Sequence, residues 1–374
     1  MHDTASLPSW LLLRGVRGLG DATYFRLVQT FGSPAAVLRA SREELLTVGQ
    51  VKSSLAQAIC QGPDDEAKRA VDEELKSLEA LGIAVIALSD PEYPSRLKTI
   101  HDPPPVLYVS GALSPADQHA IAIVGSRKAT AVGRVFTEQL SRELASLGFT
   151  IVSGLARGVD AAAHRGALAV KGRTVAVLGC GLDRTYPPEH QALRRQVESS
   201  GAVIAELPLG SSPHGYHFPR RNRLISGMCL GVVVTEAALE SGSLITARLA
   251  AEQEREVFAV PGFVKADTSR GPNALIKQGA KLVEGVEDIL PELLPQLESG
   301  FLAHLTSCMT PPAVRPEPDE LEHRVYRCLT WEAVHIDDLI EQSGLPAAEV
   351  SGLLLGLELK GLLRQLPGHS YVRL

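Results

Sequence analysis

The pattern of apolar positions predicts short helices at the start of the chain. Within Trp10–Ile59, helix-length segments with one apolar face are separated by glycines, as in Gly15–Gly20. Paired segments of this kind are typical of helix-hairpin-helix modules, whose backbone amides can donate hydrogen bonds to a phosphate. The second turn, at Val48–Lys52, is degenerate, so a structural or partner-binding role is favoured over contact with DNA. The acidic segment Asp64–Glu79 then predicts a solvated amphipathic helix that leads into the next domain.

The pattern changes from Ile83 onward. Short apolar runs rich in Val and Ile alternate with amphipathic segments of helix length. Continuous apolar strands that alternate with helices predict a doubly wound α/β domain with a mostly parallel sheet, ending near Leu294. The predicted strands are Ile83–Leu88, Ala120–Val124, Thr150–Val152, Val175–Leu178, Val203–Ala205, Gly231–Thr235 and Val257–Val260.

A proline-rich stretch follows this domain. Six prolines lie between Pro291 and Pro318 with little periodicity, which predicts a semi-rigid linker. Three helical segments and two short strands come next, and together they predict a winged-helix domain; they are Leu321–Leu329, Ile336–Gln342, Ala347–Leu359 and the paired strands in Leu363–Leu374. The predicted domains are residues 1–65 (helical), 66–295 (α/β), 296–317 (linker) and 318–374 (winged helix).

Composition excludes several classes of protein. The hydrophobic fraction is 45% and the charged fraction 21%, as in an ordinary globular protein, and no apolar run approaches the roughly 18 residues of a membrane span. Met1–Trp10 does not have the pattern of a signal peptide. The five cysteines are far apart and form no Cys-x-x-Cys pair, so a cytoplasmic location is expected. The net charge of −6 argues against a nucleic-acid binder unless basic residues are concentrated locally.

Glycines and basic residues follow three of the predicted strands. Ligands of doubly wound sheets bind at the carboxyl ends of the strands, so these three loops are expected to lie together. Glycine lets the backbone approach a ligand, and arginine can fork onto a phosphate. Each loop alone could be a simple strand–helix turn, but the set predicts a site for an anionic ligand. Its residues are Gly125, Ser126, Arg127, Gly154, Arg157, Gly158 and the Gly179–Asp183 turn.

Rings and arginines are concentrated in His214–Arg223, although only 5% of the chain is aromatic. Pro219 fits the first turn of a helix. Arg220, Arg223 and Gly227 fall on one stripe of that helix, which is predicted to bind phosphates. Phosphate-binding side chains beside stacking rings suit single-stranded nucleic acid, whose bases are splayed. The alternative is a solvated basic helix start with buried rings.

The later loops offer amides and hydroxyls rather than a nucleophile with its base. Ser241–Ser243 precedes a predicted helix, Gly262 follows the last predicted strand, and Asn273 lies in a Gly-Pro-Asn turn. No Walker loop, His-Glu-x-x-His motif or Gly-x-Ser-x-Gly elbow is present. We therefore predict no catalytic residue, no metal site and no cofactor.

These motifs, taken as an ordered series, resemble those of the DNA-processing protein A (DprA/Smf) family. The resemblance covers about residues 81 to 283 and is specific because the whole series occurs in order. The motifs are Gly125-Ser-Arg127, Ser153-Gly-Leu-Ala-Arg-Gly158, Gly179-Cys-Gly-Leu-Asp183 with Tyr186-Pro187, Phe218-Pro-Arg-Arg-Asn-Arg223, Ser241-Gly-Ser-Leu-Ile-Thr246, Ala259-Val-Pro-Gly262 and Gly271-Pro-Asn273.

The resemblance implies an extended Rossmann-like fold, preceded by a helix-hairpin-helix/SAM-like domain and followed by a winged helix. It also implies homodimerisation through the Rossmann-like domain, binding of single-stranded DNA, and transfer of that DNA to the RecA recombinase in natural transformation. By position, Arg127, Phe218, Arg220 and Asn222 would touch DNA. His190 departs from the family, which usually has Asn there. The full set of predicted DNA contacts is Gly125, Ser126, Arg127, Gly154, Arg157, Gly158, Phe218, Arg220, Arg221, Asn222, Arg223, Ser241, Gly242, Ser243, Gly262 and Asn273.

An enzyme is the alternative to this interpretation. Nucleotide phosphoribohydrolases share the Rossmann-like superfamily and resemble this chain around a strand-end glutamate and a glycine-rich turn. Glu236 with Ser241–Ser243 could be a remnant of such a site. The Pro-Gly-Gly-x-Gly-Thr turn of those enzymes is absent, so the hydrolase hypothesis is the weaker one.

The winged-helix domain is not predicted to bind DNA. Its third helix, Pro346–Lys360, has no Arg, Asn or Gln to read a major groove. From Asp319 onward there are nine acids and five bases, a net charge of −4, which repels phosphate. Two interpretations remain: a merely solubilising surface, or a docking surface for a protein partner or for the chain's own DNA-binding face.

Overall fold

The computed structural model describes residues 7–308, 319–330 and 332–373. It begins with six helices, three of which have side-chain caps that explain where they start. Ser33 and Ser41 cap the third and fourth helices, and Asp64 caps the sixth. The helices are α1 (Leu7–Arg14), α2 (Asp21–Phe31), α3 (Pro34–Arg39), α4 (Arg42–Thr47), α5 (Ser53–Gln61) and α6 (Asp65–Ala80).

A nine-stranded sheet with helices between its strands forms the central part. In chain order its elements are β1 (Ala84–Ala87), β2 (Val106–Gly111), β3 (Ala120–Val124), α7 (Ala131–Ser146), β4 (Thr150–Ser153), α8 (Val159–Ala169), β5 (Thr174–Leu178), α9 (Gln191–Ser200), β6 (Ala202–Ala205), α10 (His217–Gly227), β7 (Gly231–Val234), α11 (Gly242–Glu252), β8 (Glu256–Ala259), α12 (Asp267–Lys277), β9 (Lys281–Leu282) and α13 (Val286–Leu293). The strand order is β1-β2-β6-β5-β4-β3-β7-β8-β9.

The sheet confirms the predicted α/β class. Strands β3 to β9 are parallel to one another, and the chain moves outward in both directions from β3, through β4 to β6 on one side and β7 to β9 on the other. The prediction missed β2, which pairs antiparallel with both β1 and β6. It also missed β9, whose two residues are too short to give an apolar run.

The expected linker, residues 296–317, is a helix in its first half. Helix α14 (Ser299–Cys308) packs on the α/β domain, where the Phe301 ring stacks on His119 at 4.0 Å and meets Phe149 edge-on at 5.0 Å. Leu305 is buried beside them. The linker prediction was wrong here because so short an apolar face gives little periodicity and the prolines lie at either side. The remaining part, residues 309–318, lies outside the described residues.

The C-terminal part confirms the predicted winged helix. It comprises α15 (Glu320–Cys328), β10 (Val334–His335), α16 (Ile336–Ser343), α17 (Ala347–Leu359), β11 (Leu363–Leu366) and β12 (Ser370–Arg373). Its three strands pair antiparallel in the order β10-β12-β11. The wing packs on α7, where Leu366 and Val372 contact Val135, and Arg364 Nη1 lies 2.6 Å from Glu138 Oε2.

The N-terminal helices and the sheet share one apolar core. Leu13, Leu27 and Leu78 belong to the same buried cluster as Tyr108 of β2 and Val203 of β6. In the described part of the chain no helix is both long and apolar enough to cross a membrane.

Candidate nucleic-acid interface

The loops that follow β3 and β7 meet where the strand order reverses. The Ser126 amide donates to the Glu236 carbonyl at 2.6 Å, and the Val159 amide at the start of α8 donates to the Ser126 carbonyl at 3.2 Å. Two close approaches depend on glycine: a Cβ at Gly125 would lie 2.7 Å from the Glu236 carbonyl oxygen, and one at Gly158 would lie 2.2 Å from that of Ser126. Hydrogen bonds and close backbone contacts thus hold two loops together at the switch point of the sheet. This is the position at which doubly wound folds bind ligands.

An open cleft of about 750 Å³ lies above these loops. We call it the strand-end cleft. Three segments form most of its wall, namely the loop after β3, the start of α10 and the start of α11. Its lining residues include Gly125, Ser126, Arg127, Lys128, Tyr186, Phe218, Pro219, Arg221, Asn222, Glu240, Ser241, Gly242 and Ser243.

Two rings and a guanidinium form a platform in this cleft. The Tyr186 and Phe218 rings are 5.4 Å apart and tilted by 37°. The Arg127 guanidinium lies 5.2 Å from the centroid of the Phe218 ring, and the Arg127 side chain is exposed. A cation held beside partly exposed rings can pair with a phosphate while a neighbouring base stacks on the ring.

Polar groups at the starts of α10 and α11 hold the opposite wall together. Asn222 Nδ2 donates to the Gly242 carbonyl at 3.2 Å, which joins the two helices. The Ser241 and Ser243 hydroxyls are 2.8 Å apart, and Ser241 caps α11 through the Ser243 amide. The amides of this helix N-terminus are suited to an anion.

Arg221 forms the floor of the cleft and is buried. It donates through Nη1 to the Val177 carbonyl, and burial lowers the pKa of its guanidinium to about 10. Gly154 makes room for it, because a Cβ there would lie 2.2 Å from Nη1. The Gly154 amide also donates to Asp160 Oδ2 at 3.1 Å. Gly154 and Gly158, both predicted as DNA contacts, therefore serve the packing beneath the cleft.

Arg220 and Arg223 lie on the other side of α10, among acids. Arg223 is 6% exposed, and it contacts Glu206, Asp21 at 2.9 Å and Asp102 at 3.2 Å. Arg220 contacts Asp21 at 2.7 Å and Glu206 at 3.3 Å, and half of its side chain is exposed. Burial raises the pKa of Glu206, and the two arginines oppose that shift. These two arginines thus bind α10 to α2 rather than line the cleft.

The predicted phosphate-binding stripe therefore lies outside the strand-end cleft, and phosphate contact by its arginines stays a prediction. Gly227, the third residue of the predicted stripe, faces the interior of the protein, since a Cβ there would lie 2.8 Å from Ile100 Cγ2. The side of α10 that lines the cleft carries Phe218, Arg221, Asn222 and Ile225 instead. Both stripes carry arginine, and sequence alone did not show that distant acids neutralise one of them.

Three further predicted contacts lie away from the cleft. Arg157 is exposed but contacts Glu189. Asn273 Nδ2 donates to the Gly262 carbonyl at 2.9 Å, and the Gly262 amide donates back to Asn273 Oδ1 at 3.2 Å. Gly262 lines a separate cavity of about 570 Å³ between α7, the loop after β8 and strand β12, which we call the α7 cavity. The structure does not bring these residues to the strand-end cleft.

Glu236 also lines the α7 cavity. Its carboxylate accepts the Thr130 amide at 2.8 Å and the Thr130 hydroxyl at 2.7 Å, at the start of α7. Ser241–Ser243, the other half of the candidate hydrolase site, lines the strand-end cleft. The two halves thus open into different cavities. Among the described residues no group of His, Cys, Asp and Glu could hold a metal ion.

Lys128, Tyr186 and Glu240 also line the cleft, although none of them is among the predicted DNA contacts. Lys128 follows Arg127 directly and could have been included on that ground. Tyr186 belongs to one of the motifs that resemble the family, but its contact with Phe218 spans 32 positions of sequence and has no local signal. Glu240 places an acid at the cleft and also has no local signal. His190, the departure from the family pattern, is buried, and its Nδ1 lies 2.8 Å from the Leu155 carbonyl oxygen.

Comparison with known proteins agrees with this architecture. Residues 84–294 match the family model described as DNA recombination-mediator protein A, and residues 309–369 match the DprA winged helix domain. The chain belongs to the DprA/Smf family. It is 41% identical over 311 residues to Protein Smf of Escherichia coli (strain K12), covering 82% of each chain. It is 33% identical to Protein Smf of Synechocystis, covering 97% of this chain and 98% of the relative.

Solved structures of DprA/Smf proteins share the fold. The X-ray structure of DNA processing protein A from Streptococcus pneumoniae superposes with a TM-score of 0.64 at 32% identity, covering 78% of this chain and 97% of that one. The protein from Helicobacter pylori superposes with a TM-score of 0.51 at 29% identity, covering 58% of this chain and 97% of that one. That second structure was described for its mode of binding single-stranded DNA.

Proposed function

We propose that this chain binds single-stranded DNA in the strand-end cleft without strong sequence preference. The observation that carries the proposal is the platform of Phe218 and Tyr186 with Arg127 beside it. Stacking on rings is tolerant of sequence because every base has a π-face, and splayed bases are available only in single strands. The name of the Helicobacter pylori structure supports the same ligand.

The experiment that tests this proposal is a titration with single-stranded and duplex DNA of equal length over a range of salt concentrations. We expect tighter binding of the single strand and a linear fall of log affinity with log salt, with a slope of about −0.7 for each phosphate neutralised. Equal affinity for the two forms at every salt concentration would contradict the proposal.

We also propose that the chain acts as a homodimer in DNA processing and transfers the bound strand to the RecA recombinase. Membership of the DprA/Smf family supports both statements. The edge strand β9 and the exposed apolar side chains of Leu282, Phe263 and Val264 offer a surface for pairing. Sedimentation equilibrium tests the dimer, and the rate of RecA filament formation on single strands, with and without this chain, tests the transfer.

We expect the chain to release no base from nucleoside monophosphates. Glu236 is hydrogen-bonded to Thr130 and opens into the α7 cavity, away from Ser241–Ser243. A general acid or base must reach its substrate within hydrogen-bond distance. Chromatography of the incubated nucleotides checks this. Base release that disappears in Glu236→Gln would instead support the hydrolase alternative.

Removal of the winged-helix domain is expected to leave single-strand affinity equal or higher, because the lost segment has a net charge of −4. The truncated chain should end at Cys308, since α14 packs on the α/β domain. Fluorescence anisotropy with a labelled oligonucleotide checks the result. A tenfold loss of affinity, with circular dichroism still showing a folded α/β domain, would show that the winged helix contributes to binding.

A further inference from the structure

Helix α17 of the winged-helix domain is apolar on both of its sides. Val350, Leu354 and Leu357 are buried in the core of this domain. On the opposite side, Leu355 is 59% exposed and Leu359 is 82% exposed, the highest value among large apolar residues in the part of the chain that the structure describes. A continuous patch of exposed apolar side chains normally marks an interaction surface. The exposed side of α17 therefore lacks the surface that would cover it.

The exposed apolar residues form one continuous stripe. Ala348, Gly352, Leu355 and Leu359 follow one another at helical spacing, and all four are exposed. The stripe is about 16 Å long at 1.5 Å per residue, which matches three turns of another helix. No atom lies within 4 Å of the position that a Cβ would take at Gly352. A partner helix can therefore approach closely between the two leucines and the alanine.

The winged-helix domain is held in the chain by its other face. The wing contacts α7 through Leu366, Val372 and the Arg364–Glu138 ion pair. The stripe stays exposed in the presence of this contact. The domain is thus attached through the wing and presents α17 outward.

Charge indicates which occupant fits the stripe. Glu349 and Glu358 lie on its two flanks, and the segment from Asp319 onward has a net charge of −4. Two nearby bases are already engaged, since Lys360 contacts Glu322 and Arg364 contacts Glu138. Acidic flanks repel DNA and also oppose the pairing of two copies of this face. They attract a partner whose own flanks are basic.

We propose that the exposed stripe of α17 docks an amphipathic helix of a protein partner, with apolar side chains on the contacting face and Lys or Arg beside it. Apolar side chains of the partner pack in the open space at Gly352, and its basic flanks pair with Glu349 and with Glu358, which also accepts the Gln365 amide at 2.9 Å. In this mode of recognition, an amphipathic helix binds through apolar anchors at its positions i, i+3, i+4 and i+7. The proposal does not depend on the binding of single-stranded DNA.

A synthetic peptide serves as the probe. It has 18 residues, with leucines on one helical face and lysines on the other, and carries a fluorescent label for anisotropy with the full-length chain. We expect Leu355→Ser with Leu359→Ser to weaken peptide binding at least tenfold. The matched control is Leu81→Ser, which changes a leucine of similar exposure, 54%, on helix α6's C-terminal side and should bind like the parent chain.

Two further peptides separate the apolar and electrostatic parts of the proposal. A glutamate-for-lysine version and a scrambled version without an apolar face should each bind at least tenfold more weakly. Single-strand affinity should be unchanged in the double variant, so failure here is distinct from failure of the proposed function. Equal binding by the double variant, by the scrambled peptide or by the acidic peptide would overturn the proposal. So would self-association of the parent chain that the double variant abolishes, because the occupant would then be a second copy.

Discussion

Replacement of Phe218 by Ala is expected to weaken the binding of single-stranded DNA by roughly tenfold or more, because stacking of a base on an aromatic ring contributes about 1–3 kcal/mol. The loss should appear at every salt concentration, since the ring carries no charge. Replacement of Arg127 by Ala should also weaken binding, but it should flatten the slope of log affinity against log salt by about 0.7. Anisotropy titrations at three or more salt concentrations measure both quantities.

Matched variants make this comparison specific to the cleft. Phe218→Tyr keeps a ring at 5.4 Å from that of Tyr186 and should bind nearly as tightly as the parent chain. Arg127→Lys keeps the charge and should keep the salt slope. Arg220→Ala should have a smaller effect than Arg127→Ala, because Arg220 is paired with Asp21 and Glu206. A larger effect at Arg220 would place the DNA on the other side of α10.

The arrangement of the strands could be predicted because it rests on local signals. Runs of Val and Ile, such as Ala120–Val124 and Gly231–Val234, are buried on both faces of a parallel sheet and read as strands directly. The topology of doubly wound folds then brings the strand-end loops together. Gly125, Arg127 and Phe218 were therefore predicted as site residues and do line one cleft.

The orientation of α10 could not be predicted in the same way. Its sequence places arginines on more than one side of the helix, and an arginine faces water or the interior according to which carboxylates approach it. For Arg223 those carboxylates are Asp21 and Glu206, one of which is 202 positions away. Such pairing has no period and no local motif. Helical spacing and the local motif therefore assigned the same role to Arg220, Arg221 and Arg223, whereas only Arg221 lines the cleft.

The short elements were missed for a related reason. Helix α14 is held by contacts of Phe301 with Phe149 and His119, all of which come from other parts of the chain. Strand β9 has two residues and exists because β8 lies beside it. In both, tertiary contacts decide the conformation and intrinsic propensity contributes little.

Arg223, which does not line the cleft, should instead contribute to the stability of the fold. Replacement of Arg223 by Ala is expected to lower the free energy of unfolding by about 3–5 kcal/mol, the usual cost of removing one partner of a buried ion pair. Glu206 is 4% exposed and would lose its closest partner, while Asp21 would lose one of the two arginines that join α2 to α10. Urea denaturation followed by circular dichroism measures the change.

Two controls separate the cost of an unpaired charge from the loss of packing. Arg223→Met with Glu206→Leu removes both buried charges and should recover a large part of the lost stability, because apolar replacement of a whole buried pair is often neutral or stabilising. Arg220→Ala, where half of the side chain is exposed, should cost no more than about 1 kcal/mol. A change below about 1 kcal/mol in Arg223→Ala would contradict the role that we assign to this network, since a buried carboxylate that loses its closest arginine is destabilised by several times that amount.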